Sequence, residues 1–380
     1  MQNRKRIILM TSSYPGVSKD LRAAAGVFVR DFAHELAKRA EVTVLTQRID
    51  SGPSIVLEEG VKVVRFTWAG MERPLSTLSM PRDIGMMISA VFGGVRAAWR
   101  YARQNDIDYT LALWTVPSGG WAFALKLRSS IPWAVWCLGS DIWDYGRRPI
   151  LRHIVRFLLQ QAEVRFADGF KLKGDVEALC GRRCRFLPST RRLKQDSVIR
   201  PDIAKRKRNY LFIGRYHPNK GPDILIEAIA LLPSEIKKQV CFHFFGGGML
   251  EADLRQAIEK ERLADLVKLN GYIDENESAA YLRVCDALII PSRMESIPVV
   301  FSDALQVHCP LIVSDVGDMG DLMRRYEAGQ VVQPESPEDL KQAILTDIAV
   351  GPEKYKPGLK QLGKLFDLER SVSIFLRNVQ

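Results

Sequence analysis

The sequence contains no uninterrupted apolar run that could cross a bilayer. Its most apolar long stretch, Ile84 to Ala98, is broken by glycines and by Arg96, and falls short of the roughly 20 residues a spanning helix needs. No secretory leader is legible either: Met1-Gln2-Asn3-Arg4-Lys5-Arg6 leads into only a short apolar run, Ile7 to Met10. A soluble, cytoplasmic protein is therefore expected. Cysteine is scarce. Cys137, Cys180, Cys184, Cys241, Cys285 and Cys309 lie in apolar segments without disulfide or zinc-pair spacing, and Cys180 with Cys184 has no second pair or nearby histidine to complete a tetrahedral site. Reduced thiols and no metal are the expectations. Two further absences narrow the function: with neither Walker spacing nor a G-x-G-x-x-G fingerprint, a P-loop ATPase and a dehydrogenase are disfavoured.

What is present is enough chain for two cores. A length of 380 residues exceeds what one core usually organises, and 47 % hydrophobic with 26 % charged residues is a globular composition. The net charge of +11 is divided unevenly, residues 1–208 carrying +17 and residues 209–380 carrying −6. So basic an amino half should face something anionic, whether nucleic acid, a phospholipid surface or a pyrophosphate-linked substrate; a generic solvated surface is the bland alternative. The run Lys205 to Arg208 follows Pro201 and precedes the apolar stretch Tyr210 to Ile213, where an interdomain linker belongs. No helix-turn-helix, zinc finger or aromatic RNA-binding motif accompanies that run, so no nucleic-acid partner is expected.

Apolar strand-like runs alternate with helical patterns along the whole chain. Ile7 to Thr11, Val42 to Thr46, Val61 to Phe66, Tyr109 to Leu113 and Trp133 to Leu138 read as strands in the first half. Tyr210 to Ile213, Cys241 to Phe245, Val267 to Leu269, Ala287 to Ile290 and Leu311 to Ser314 do so in the second. This alternation predicts an α/β protein of two doubly wound parallel sheets, whose ligands bind beyond the carboxyl ends of the strands. A long helix is expected over about Ile84 to Gln104, and the segment Met80 to Tyr101 reads as core-facing, with an interfacial helix meeting a lipid-linked acceptor as the alternative.

The residues just after the strands carry the chemistry. Arg215 and Lys220 are two cations around a turn that leads into a helix, which suits a diphosphate. Gly246, Gly247 and Gly248 remove side chains at a strand end, allowing a ligand close to the backbone. Glu295 stands in a loop and Asp303 in the helix that follows, started by Pro298; between them the free N–H groups near Ser296, Ile297 and Val299 make an anion site.

Together these residues resemble glycosyltransferase family 4. The similarity runs from Phe212-Ile213-Gly214-Arg215 and Lys220-Gly221, through Phe245 to Gly248 and Asp286 to Ser292, to Gly329 and Pro334. The resemblance implies a GT-B fold, two facing Rossmann-like domains with a cleft between them, and a retaining transferase of the EC 2.4 class. By the same resemblance Arg215 and Lys220 bind the donor diphosphate. Glu295 contacts the transferred sugar and Asp303, where the family usually has Glu, holds the ribose. Ser12 to Pro15 with Gly26 looks like the family's loop meeting donor phosphate and acceptor. Trp114 with Pro117 to Gly120, and Leu138 to Asp141, look like further cleft elements, which makes Asp141 a sugar- or acceptor-facing group or else a helix cap. The family commonly has His where Leu138 stands.

The expected organisation is an acceptor-binding domain over 1–205, a nucleotide-sugar-binding domain over 206–360, and a terminal helix over 361–380 packing back on the first. The expected partners are a nucleotide-sugar donor, a glycan or lipid-linked acceptor and the anionic inner face of the cell membrane, with no metal or other cofactor. Cell-surface polysaccharide or glycolipid synthesis is the implied setting. A nucleotide-sugar-binding protein of the same fold without transferase activity is the alternative.

Overall fold

Short β-branched and aromatic runs become strands here because helices can cover them on both faces. In the computed structural model, which describes residues 4–16, 26–70, 75, 78, 82–193, 199–204 and 207–379, the chain divides into two units. The first is Met1–Arg191 with Leu368–Gln380, and the second is Arg192–Asp367. The 205/206 boundary read from the sequence lies outside the described residues.

The first unit holds β1 (Arg6–Thr11), β2 (Glu41–Gln47), β3 (Ile55–Glu58), β4 (Val61–Phe66), β5 (Tyr109–Leu113), β6 (Trp133–Cys137), β7 (Val164–Ala167) and β8 (Arg185–Phe186). They form one sheet in the order β3-β4-β2-β1-β5-β6-β7-β8, parallel except for β3 on β4. Ile7 pairs with Val42 on one side and Tyr109 on the other. One face is covered by the helices Ile84–Gln104, Gly120–Ser129, Pro149–Gln161 and Phe170–Cys180, packed around Trp121, Trp133 and Leu159. The other face carries Val27–Ala37 and the terminal helix Leu368–Asn378, where Phe32 and Phe375 meet edge to face at 5.8 Å.

The helix Ile84–Gln104 is core-facing, but only through small residues. Ala90, Gly94 and Ala98 are its buried positions, and a Cβ on Gly94 would come within 2.3 Å of the Trp121 ring. Ile84, Ile88 and Phe92 face outward instead.

The second unit holds β9 (Arg208–Ile213), β10 (Val240–Phe245), β11 (Val267–Leu269), β12 (Ala287–Ile290), β13 (Leu311–Ser314) and β14 (Gly329–Val332). Their order is β11-β10-β9-β12-β13-β14, all parallel. Tyr210 is stacked on Phe242 at 5.3 Å in a core with Ile226 and Ile289. The α/β class expected from the alternation is the one the chain forms. Among the parallel strands of each sheet the order reverses once, between β1 and β5 and between β9 and β12, and the carboxyl ends at such a point open a crevice for ligands. Among the described residues no helix is long and apolar enough to cross a membrane.

Candidate functional site

At the carboxyl end of β9 the chain passes through Gly214 and Arg215 into the turn Pro218–Lys220 and the helix Pro222–Ala230. Gly221 joins turn and helix with φ 65°, and a Cβ there would lie 2.1 Å from the Pro291 carbonyl oxygen. This loop therefore rests directly on the end of β12. Lys220 Nζ consequently meets Glu295 Oε1 across the switch point. Burial, and then the nearby Arg215 guanidinium, pull the Lys220 ammonium from 10.5 to about 8. Burial, Arg215 and Lys220 also hold His217 below its ordinary value. Its Nδ1 accepts from the Asn219 N–H at 3.2 Å, so the neutral ring carries its proton on Nε2. Arg215 itself is exposed.

Arg293 holds the two loops together. Its guanidinium donates to both carboxylate oxygens of Asp223, at 2.9 and 2.6 Å, to the Pro218 carbonyl at 2.7 Å and to Glu335 at 3.0 Å. The Arg293 and Met294 amides both point at the Asn219 carbonyl. Nothing in the sequence signals that Arg293 pairs with Asp223, which precedes it in the chain by 70 positions. A bidentate pair fixes direction as well as distance, so the Lys220 turn and the Glu295 loop move as one piece.

The three glycines after β10 serve the protein's own backbone. A Cβ on Gly246 would lie 1.9 Å from the Gly214 oxygen, and one on Gly248 2.7 Å from the Tyr216 oxygen, both at positive φ. Tyr216 N–H donates to Gly247 O at 2.9 Å and Leu250 N–H to Tyr216 O at 3.0 Å. Gly247 lies against the Tyr272 ring. The Gly246 to Gly248 turn is thus zipped to the loop after β9 that carries Arg215.

Ser296 and Ile297 are buried, and Pro298, expected inside the first helical turn, stands one residue earlier as the N-cap with φ −70° and ψ 145°. The helix Val299–Gln306 then starts with half-buried Val299 and Val300, whose N–H groups have no helical carbonyl behind them. Gly317 backs this loop, a Cβ there meeting the Glu295 and Ser296 oxygens at 2.3 Å. Asp303, read as the ribose ligand, is fully buried in that helix and presents no surface.

In the first unit Gly26 opens the helix Val27–Ala37 at φ 86°, and a Cβ on it would lie 2.3 Å from the Ser13 oxygen, so it packs on the loop after β1. Asp141, read as a sugar- or acceptor-facing group or else a helix cap, lies inside the first unit. It is fully buried, with one carboxylate oxygen accepting from Thr115 N at 2.8 Å and Thr115 Oγ1 at 2.9 Å, and the other from Leu138 N at 3.1 Å. Burial raises its pKa against those hydrogen bonds. From inside the short helix Ser140–Trp143, whose N-cap is Gly139 without a side-chain cap, it braces the ends of β5 and β6. Trp114 lies beside it at φ 64°, packed on Phe28. Among the described residues no group of three or more His, Cys, Asp or Glu is placed to hold a metal, and all six cysteines are buried free thiols.

Comparison with known proteins fits both halves. Residues 194–353 match the family "Glycosyl transferases group 1", and residues 23–183 match "Glycosyl transferase 4-like domain". An uncharacterized glycosyltransferase of Methanocaldococcus jannaschii is 31 % identical over 284 residues, 73 % of this chain and 76 % of that one. A Bacillus subtilis glycosyltransferase named for teichuronic acid biosynthesis, TuaC, is 25 % identical over 89 % of this chain and 88 % of its own. HepE of Anabaena, solved in complex with UDP-glucose, superposes with a TM-score of 0.72 at 17 % identity over 98 % of this chain and 99 % of that one.

Proposed function

This chain belongs to the glycosyltransferases of the family 4 type and has their GT-B fold, and on that premise we propose that it moves a sugar from a nucleotide-diphosphate donor to a glycan or lipid-linked acceptor with retention of configuration. The observation that carries this reading is the pairing of Lys220 with Glu295 at the switch point of the second sheet, with Arg215 close enough to depress the lysine. A donor diphosphate competes with Glu295 for Lys220. It takes the ammonium and the Arg215 guanidinium as counter-charges and releases the Glu295 carboxylate to the hydroxyls of the sugar. The Val299 and Val300 N–H groups supply a further anion contact.

As the bond between the anomeric carbon and the diphosphate oxygen breaks, negative charge grows on that oxygen, where fixed cations count for most. The acceptor oxygen bonds the anomeric carbon and its proton passes to the departing phosphate, so no separate protein base is required. Arg215, Lys220 and the helix N-terminus together supply the positive field, and we assign no metal to the step. The UDP-glucose complex of HepE supports a nucleotide-sugar donor, and the name of TuaC supports cell-surface polysaccharide synthesis. The +17 of residues 1–208 supports a seat at the inner face of the cell membrane.

A panel of UDP- and GDP-sugars, read by release of the nucleoside diphosphate, with the product anomer assigned by NMR, tests the proposal. One donor is expected to turn over with retained configuration and at the same rate in EDTA. An inverted product would remove the retaining mechanism, loss of rate in EDTA the metal-free step, and inertness toward every donor the whole reading. Arg293→Met is expected to raise the donor KM about tenfold with a smaller change in kcat, because the cations remain but lose their mutual register. Arg293→Lys should recover little, lacking the bidentate fork; a variant with unchanged KM would show that the loops hold without it.

A further inference from the structure

The first unit presents a second surface whose composition the donor site does not explain. On the helix Pro149–Gln161, Val155, Leu158 and Leu159 face the core, while Ile150, Ile154 and Phe157 stand exposed at helical spacing, Ile150 at 79 %. The stripe continues onto the next helix. Phe157 meets Phe123 edge to face at 5.1 Å, and one turn further along Gly120–Ser129 comes Leu127, 73 % exposed. Arg128 in turn lies over Trp99 of the helix Ile84–Gln104, whose Phe92 is 70 % exposed. All three helices cover the same face of the first sheet.

Charge decides what this surface fits. The three helices contain Arg96, Arg100, Arg103, Lys126, Arg128, Arg152 and Arg156, and not one Asp or Glu. Each could have solvated its outer face with carboxylates as cheaply as with guanidinium groups, and none does. A nucleic acid would neutralise the arginines but leave Ile150, Ile154 and Leu127 against water. A second copy docked face to face would set arginine against arginine. A bilayer with anionic headgroups takes both parts: phosphates meet the guanidinium groups, and the acyl boundary receives the isoleucine and phenylalanine side chains.

We propose that the helices Gly120–Ser129 and Pro149–Gln161, flanked by Ile84–Gln104, form the docking surface for an anionic phospholipid membrane, with Ile150, Ile154, Phe157 and Leu127 entering the headgroup layer. The sequence had pointed to Ile84–Gln104 alone; the structure moves the centre of the surface to Pro149–Gln161. The inference rests on the reading above only for its biological sense, a transferase placed where a lipid-linked acceptor lies.

Full-length protein is sedimented with phosphatidylcholine vesicles containing about 30 % phosphatidylglycerol at about 0.15 M salt, against phosphatidylcholine alone. The protein is expected to pellet with the anionic vesicles only. Replacing Ile150, Ile154 and Phe157 together by Ser should lower partitioning about a hundredfold. Arg152→Gln with Arg156→Gln should lower it about 25-fold and flatten its salt dependence. Nucleotide-sugar turnover in solution, measured on the same samples, should stay unchanged in both variants, which shows them folded. Equal binding to neutral vesicles, no vesicle binding, or variants that still pellet would overturn the docking surface. So would a stripe whose loss abolishes RNA binding or self-association in place of vesicle binding. Vesicle binding without donor turnover would instead overturn the transferase reading and leave the surface standing.

Discussion

Lys220→Gln is expected to lower kcat/KM for the nucleotide-sugar by about 100- to 1000-fold, the effect of removing one fixed charge from a developing oxyanion. Both kcat and KM should suffer, since the lysine meets the diphosphate on binding and again as the glycosidic bond breaks. The pH profile carries the sharper signature. A lysine held near 8 is charged at pH 7 and loses its proton as pH rises through 8, so the anion contact is present below that value and lost above it. The kcat/KM profile of the free enzyme should therefore fall about tenfold between pH 7 and 9. The kcat limb should lie higher, because bound diphosphate stabilises the ammonium. Lys220→Arg should keep part of the activity and lose the limb altogether. Removing the neighbouring carboxylate in Glu295→Gln should shift the limb to lower pH, since an opposite charge favours the protonated amine. A limb that persists in Lys220→Arg would assign it to another group.

The fold was legible in the sequence wherever burial on both faces forced a continuous apolar run. It was not legible where a strand escaped that rule. β3 lies at the sheet edge with Ile55 and Leu57 exposed, so no buried periodicity marks it. β7 contains Arg165, tolerated because its guanidinium reaches the Leu159 and Ala162 carbonyls at 3.0 and 2.6 Å. β14 begins on Gly329, whose φ of 154° and close approach to the Leu311 carbonyl no hydrophobic pattern records. The site divides the same way. Arg215 and Lys220 share one loop and could be read together, whereas the Arg293, Asp223 and Glu335 cluster exists only after β9 and β12 are side by side. The burial of Asp141 and Asp303 was not legible either. Position in a motif gives a carboxylate's identity but not its direction, and both are turned into the protein.

Gly221→Ala is expected to damage the same site by a different route, through the position of the loop and with a loss of stability. Gly221 and Gly271 both have positive φ, 65° and 75°, and both belong to the second unit. An added Cβ on Gly271 meets nothing within 4 Å, so Gly271→Ala measures the left-handed backbone alone, about 1 kcal/mol or about 2–4 °C in Tm. The Cβ on Gly221 would stand 2.1 Å from the Pro291 oxygen and 3.0 Å from its carbon. These are backbone atoms at the end of a buried strand and cannot swing aside as a side chain would. The turn Pro218–Lys220 must then lift from β12, parting Lys220 from Glu295 and straining the Arg293 bridge to Asp223. Gly221→Ala should accordingly cost about 3 kcal/mol, melt about 6–12 °C lower, and lose more than about tenfold in kcat/KM even below its melting temperature. Calorimetry of the two variants with donor kinetics decides the matter. If Gly221→Ala melts with Gly271→Ala and keeps its kinetics, the contact with Pro291 does not set the position of Lys220, and the alignment of the donor cations must come from Arg293 alone.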